Sequence, residues 1–263
     1  MPLSRSLYKL RAGIGFSHNF LSGVAMFTML IDHMALTLIQ NGKLYGYNEV
    51  LYTNAIAQPE ARNWIILYNI MRMIGRISFP IFAFLIVEGF RKSGNLFKYI
   101  LRLLLLAIIS EIPYDLMVFN EILSIRCFEI QNVVFTYVIG LLMLVVIRYV
   151  NSFSTILSVF PALVAYGLTY VLKTDYALEG IILIYVFYMF RNDLNLMCII
   201  VMIVTFIMSF EKYYGSAILS TIFIYLYDGT KGTLDFRPFR YAFYPLHMLI
   251  LYGIVFFSNI YKG

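Results

Sequence analysis

Residues 17–40 read SHNFLSGVAMFTMLIDHMALTLIQ, an apolar run interrupted by Asp32 and His33. A bilayer crossing takes roughly 20 predominantly apolar residues, so the run is long enough to span. The rest of the chain agrees with it. Of 263 residues, 61% are hydrophobic, 17% aromatic and 13% charged, whereas a soluble domain carries about 25% charged residues. Too little charge is present to cover a soluble surface. The expected fold class is therefore all-α: a polytopic integral membrane helical bundle. A disordered chain, a disulfide scaffold and a soluble domain with one anchor are excluded. Cys127 and Cys198 lie far apart without paired spacing and read as inert thiols.

Working outward, apolar stretches predict about nine helices, with eight to ten allowed. They lie near 17–40, 64–90, 96–118, 132–150, 154–172, 176–190, 194–210, 215–228 and 241–261. The longest connections are 41–63 and 119–131. With no repeat or low-complexity segment, 1–263 reads as a single transmembrane domain. Arg5, Lys9 and Arg11 precede the first run as in a signal peptide. No small-residue cleavage site follows, so an uncleaved first helix is expected.

The net charge of +6 would suggest nucleic acid in a soluble protein; here the positive-inside bias explains it, and no nucleic-acid partner is expected. An inside N-terminus puts twelve basic residues in cytoplasmic loops, Arg91, Lys92, Lys98, Arg102, Lys231, Arg237 and Arg240 among them. Six fall outside. The expected location is the bacterial cytoplasmic membrane, multi-pass, with a cytoplasmic N-terminus.

An ionisable group at a helix centre costs about 2.5–3.5 kcal/mol on insertion scales, so it needs a partner or an aqueous cavity. The candidates are Asp32 and His33 in helix one, Arg72, Arg76 and Glu88 in helix two, and Glu111 and Asp115 in helix three. Glu179 and His247 follow in helices six and nine. Histidine suits a general base because its unperturbed pKa of about 6.5 is close to working pH. The bland alternative is a polar pair bonded to Arg72 or Arg76. Neighbours in a helix project in different directions, so Asp32 need not touch His33. Arg72 and Arg76 are four apart and share a face; Asp32, Glu111 or Asp115 would neutralise them. Pro80 removes a helical donor near Arg76, which predicts a kink lining a cavity. His247, at the inner end of the last helix, reads more as packing than chemistry. The Tyr and Phe residues are assigned none.

No glycine-rich nucleotide motif, P-loop, HExxH or GxSxG occurs, and His18, His33 and His247 are too few for a metal cluster. Hydrolysis and metal chemistry are disfavoured. Group transfer through one histidine stays open.

Several blocks taken in order resemble the TraX family of bacterial membrane proteins, which is related to the transmembrane acyltransferases. They are Met29-Leu30-Ile31-Asp32-His33, Gly75–Phe84 (GRISFPIFAF) continuing to Val87-Glu88-Gly89-Phe90, and Tyr99–Leu103 (YILRL). Ser110–Asp115 (SEIPYD), Asp175-Tyr176 with Gly180, and Phe243–His247 (FYPLH) complete the set. Ser78, Tyr114 and Ala177 depart mildly from the family pattern. The family takes its name from a conjugation protein credited with acetylating the N-terminus of pilin. The resemblance therefore implies acyl or acetyl transfer from acyl-CoA, with His33 at the position of the superfamily's catalytic histidine.

The combined expectation is a CoA-dependent acyltransferase. His33 is the base, Asp32 orients it or stabilises the imidazolium, and Arg76 supports the oxyanion. A transient acyl-His33 is the competing route. Arg91, Lys92, Lys98, Lys231, Arg237 and Arg240, with His247, form the cofactor side for acetyl-CoA or another acyl-CoA. Arg72, Glu88, Glu111, Asp115 and Glu179 are substrate-side or structural. Expected partners are membrane lipids, acyl-CoA and an acceptor: a peptide, pilin, a glycan or a lipid. Oligomeric state stays open. Two rivals remain: a secondary transporter or channel using the same buried cluster, and a non-enzymatic pilus or secretion assembly protein.

Overall fold

A computed structural model describes residues 15–122, 124–150, 156–233 and 237–258; of Arg237 and Pro238 it describes the backbone alone. Helices occupy all nine expected positions among the described residues. Arg5, Lys9, Arg11 and the Arg237 side chain, read above from the sequence, lie outside the described residues. There is no strand among them, only two isolated bridges, Phe16 with Tyr227 and Gln131 with Thr174.

Helix α1 (His18–Met34) starts where Ser17 accepts the Phe20 N–H at 3.2 Å, and runs on as a π-helix over Ala35–Lys43. Inside the 41–63 connection, α2 (Glu49–Ile56) buries none of its residues. Helices α3 (Ala61–Gly75) and α4 (Ser78–Lys92) follow, broken at Arg76-Ile77. The break is where Pro80 requires it: proline fits the first turn of α4 but offers Arg76 no N–H.

Next come α5 (Leu96–Phe119), α6 (Val133–Val150), α7 (Val159–Val171), α8 (Ala177–Met189), α9 (Leu194–Tyr213), α10 (Ser220–Tyr225) and α11 (Arg237–Phe257). Side-chain caps at Asn95 and Asp193 open α5 and α9, accepting the N–H groups of Lys98 and Leu196.

Among the described residues, five helical spans are long and apolar enough to cross a membrane: His18–Lys43, Ala61–Lys92, Val133–Val150, Leu194–Tyr213 and Phe239–Phe257. The apolar helices at 156–171, 177–189 and 216–225 are shorter. Helix α5 has 24 residues but carries Lys98, Arg102, Glu111 and Asp115. This is an all-α polytopic membrane protein.

Helix α4 is the central element. It packs against α1, α6, α8 and α10, and buries Phe79, Ile81, Phe84, Val87 and Phe90. Helix α1 packs against α3, α4 and α11, and α11 also lies along α5. The outward faces are apolar: Phe160, Leu163, Val164 and Val171 on α7 are all exposed, as a lipid-facing surface requires. The site-bearing ends of α1, α3, α4 and α11 therefore converge inside the bundle.

Candidate functional site

Asp32 is held between two arginines. One oxygen, Oδ2, accepts from Arg72 Nη1 at 2.6 Å, and Arg76 Nη2 donates to both Oδ1 and Oδ2 at 2.9 Å. The helical spacing of four puts both guanidiniums on one face of α3, and Gly75 between them lets α1 approach. A β-carbon at position 75 would collide with Asp32 Oδ1. Two cations and one carboxylate leave this cluster with an excess positive charge, and Arg76 Nε is buried without a hydrogen-bond partner among the described residues.

Aromatic groups enclose the arginines. Arg76 Nη1 donates to the Tyr176 hydroxyl, and Arg72 Nε to the Tyr213 hydroxyl at 3.4 Å. The Arg76 guanidinium also lies 4.8 Å from the Tyr213 ring centroid. Tyr176 stacks on Phe79 with centroids 3.9 Å apart and has φ +54°, a left-handed backbone that few non-glycine residues adopt. The loop is pinned by backbone bonds between Gln131 and residues 173 and 175, and by Thr136 Oγ1 donating to the Asp175 carbonyl. Burial pushes the Asp175 carboxyl up to about 6, against the pull of Arg76 and Arg72.

His33 projects away from the Asp32 clamp. Its Nδ1 lies 2.6 Å from His247 Nε2, and His247 Nδ1 lies 2.6 Å from the Phe243 carbonyl oxygen. This corrects the expected picture in two respects. His247 meets His33 across the bundle rather than sitting with the basic residues, because α11 packs against α1. Asp32 is taken up by the arginines, and it is His247 that occupies Nδ1 of His33.

A cavity of about 1080 Å³ is lined by His33, Asp32, Arg72 and Arg76, with His247 outside its lining. At one end lie His18, Lys92, Arg102 and Arg240; further in are His33, Asp32, Arg72 and Arg76. Lys92 is fixed by Glu88 at 2.9 Å and the Tyr227 hydroxyl at 2.8 Å, and Arg240 by His18 Nδ1 at 2.7 Å and Ser22 Oγ at 2.9 Å. A second cavity of about 620 Å³ lies behind Arg72, Arg76, Phe79, Asp175 and Tyr176, which line both.

The other expected site residues are dispersed. Arg91 pairs with Glu88 at 2.6 Å, so buried Glu88 organises the basic end rather than the acceptor side. Lys98 and Lys231 are exposed and line neither cavity, and Arg91 lines neither. Glu111 accepts from the backbone N–H and side-chain amide of Asn132, clamping the start of α6; Asp115 is buried, and neither carboxylate lines either of these two cavities. Glu179 lines the second cavity. Sequence reasoning missed Arg102, Asp175, Tyr176 and Tyr213. Asp175-Tyr176 was visible as a family block, but one tyrosine among 22 carries no contrast.

The profile described as TraX protein matches residues 17–255. The chain is also 26% identical over 259 residues to the probable fimbrial assembly protein FimC, serogroup H1, of Dichelobacter nodosus, covering 90% of this chain and 95% of that one. No solved structure matches. With the family profile covering every element that builds the cavity, the chain belongs to the TraX family.

Proposed function

We propose that the protein is a membrane-embedded acyltransferase that moves an acyl group, acetyl first of all, from cytoplasmic acyl-CoA to an amine or hydroxyl acceptor. The observation that carries this reading is the single cavity linking Lys92, Arg102 and Arg240 to His33 and the Asp32 clamp. Its charge and lining suit the donor. The 3′-phospho-ADP end of CoA is polyanionic and fits the basic end, which is then the cytoplasmic one. The pantetheine arm fits between Leu85, Leu103 and Leu106.

In this reading His33 removes a proton from the acceptor nitrogen or oxygen as that atom attacks the thioester carbonyl. The carbonyl oxygen takes the negative charge, which the excess positive charge of the Arg72–Asp32–Arg76 cluster stabilises. The carbon–sulfur bond then breaks, the CoA thiolate leaves with the proton, and the new amide or ester remains. The second cavity, lined by Glu179 and bounded by Arg76 and Tyr176, suits an acceptor arriving behind the clamp. A pilus subunit, through its N-terminal amine, is the favoured acceptor. The fimbrial-assembly name of the relative supports it, and a glycan or lipid is the alternative.

The test is acetyl-CoA binding by calorimetry in nanodiscs, together with label transfer from [14C]acetyl-CoA to co-expressed pilin. Wild type should bind and transfer; His33→Ala should bind and not transfer. Undiminished transfer by His33→Ala overturns the role of His33. No CoA binding by wild type overturns the reading in favour of a transporter or an assembly protein without chemistry.

A further inference from the structure

We infer that His247 is a positioning residue that holds a proton on Nδ1 of His33 and so leaves Nε2 as the basic nitrogen. This rests on the reading of His33 as the base.

A carbonyl oxygen only accepts, so the 2.6 Å contact between His247 Nδ1 and the Phe243 carbonyl puts a proton on Nδ1. A neutral imidazole carries one N–H and one lone pair, so His247 Nε2 is then an acceptor. His33 Nδ1 lies 2.6 Å from it. Two lone pairs would repel at that distance, so His33 Nδ1 carries the hydrogen and donates it. Nε2 of His33 keeps its lone pair, and it has no hydrogen-bond partner among the described residues.

The ring geometry supports a hydrogen bond rather than stacking. The two planes are 5° apart with centroids 4.8 Å apart. With nearly parallel planes, a 2.6 Å atomic contact holds the gap between planes well below the roughly 3.5–4.0 Å of packed carbon atoms. The rings therefore meet edge to edge. His247 itself is fixed: it is 4% exposed, and the Phe243 ring stacks on it at 4.7 Å and 11°. Residues 243 and 247 are one helical turn apart in α11, which brings that carbonyl beneath the ring.

A neutral partner also suits this place. The nearby carboxylate, Asp32, is bonded to both arginines, so a histidine and not a carboxylate meets Nδ1 of His33. Histidine supplies an acceptor without adding charge. When Nε2 takes the acceptor's proton, the Nδ1–H bond to His247 becomes charge-assisted and strengthens.

The experiment uses full-length protein in nanodiscs, with His247→Phe, which keeps an aromatic ring and removes the acceptor, and His247→Gln, which restores an amide acceptor. The 15N spectrum of histidine-labelled protein should show His33 as the Nδ1–H tautomer in wild type and in His247→Gln. In His247→Phe it should shift toward Nε2–H. Transfer from acetyl-CoA should fall about 100-fold in kcat for His247→Phe, the scale of a lost general base, with CoA binding retained and a substantial part recovered in His247→Gln. Wild-type His33 protonated on Nε2, or a His247→Phe variant with the wild-type tautomer or undiminished kcat, overturns the inference. If wild type transfers nothing, the proposed function fails, and the tautomer spectra decide the pairing by themselves.

Discussion

Asp32 rests directly on Gly75, and that contact positions both oxygens of the carboxylate between Arg72 and Arg76. The absence of a side chain at position 75 is thus part of the site: it sets how deeply α1 sinks against α3. A methyl group there would collide with the carboxylate itself, and the two guanidiniums leave that carboxylate little room to move.

Gly75→Ala is therefore expected to destabilise the fold by about 1–3 kcal/mol, the usual cost of overpacking a filled site, and to reduce acyl transfer. Gly167, in α7 with open space at its β-carbon position, provides the control. Gly167→Ala should be neutral or gain up to about 1 kcal/mol from helix propensity. Thermal unfolding of both variants in one detergent makes the comparison. Equal midpoints would remove the structural role given to Gly75.

The clamp makes a sharper prediction about charge. Asp32→Asn leaves two buried guanidiniums facing each other and should cost about 3–5 kcal/mol, as breaking a buried pair does. Adding Arg72→Met removes one of the two stranded cations, so the double variant should be more stable than Asp32→Asn alone. A double variant less stable than the single one would show that repulsion between the arginines is not what the carboxylate relieves.

Much of this was legible in the sequence because a membrane interior penalises charge. Asp32, His33, Arg72 and Arg76 stood out against an apolar background, and Pro80 located the break between α3 and α4. What stayed open in the sequence shares a physical origin. Glu111 and Asp115 looked equally anomalous, but Glu111 holds Asn132 at the start of α6. Nothing in the local pattern distinguishes that task from catalysis. His247 sits 214 residues from His33, and the register between α1 and α11 is a property of packing alone. Asp175 and Tyr176 lie in a connection whose path depends on the Gln131–Thr174 bridge.

Asp175 provides a pH test. Its carboxyl rises from the ordinary value of 3.8 to about 6 because burial disfavours the anion. The sign follows from linkage: a folded-state pKa above the unfolded one means that stability falls as pH rises between those values. Asp175→Asn keeps an oxygen for the Tyr176 N–H, which Oδ1 accepts at 3.0 Å, and removes the ionisation. Its unfolding midpoint should match wild type near pH 4 and exceed it above pH 6. A gap that is constant with pH would show that ionisation of Asp175 is not the cause.

The basic end of the cavity separates donor binding from topology. Lys92 and Arg240 are engaged with Glu88, Tyr227, His18 and Ser22, whereas Arg102 lines the cavity with no ion-pair or hydrogen-bond partner among the described residues. A cation in that position is available to a phosphate. A charge-assisted hydrogen bond contributes about 1.5–3 kcal/mol, so Arg102→Ala should weaken CoA binding about 10-fold or more. It should also flatten the salt dependence of Kd, because one screened contact is gone. Lys98→Ala, one turn earlier on α5 but outside the cavity lining, should change neither. Titration of CoA into the two variants at low and high salt measures the difference. Equal affinities would mean that Arg102, like Lys98, only sets the orientation of the helix in the membrane.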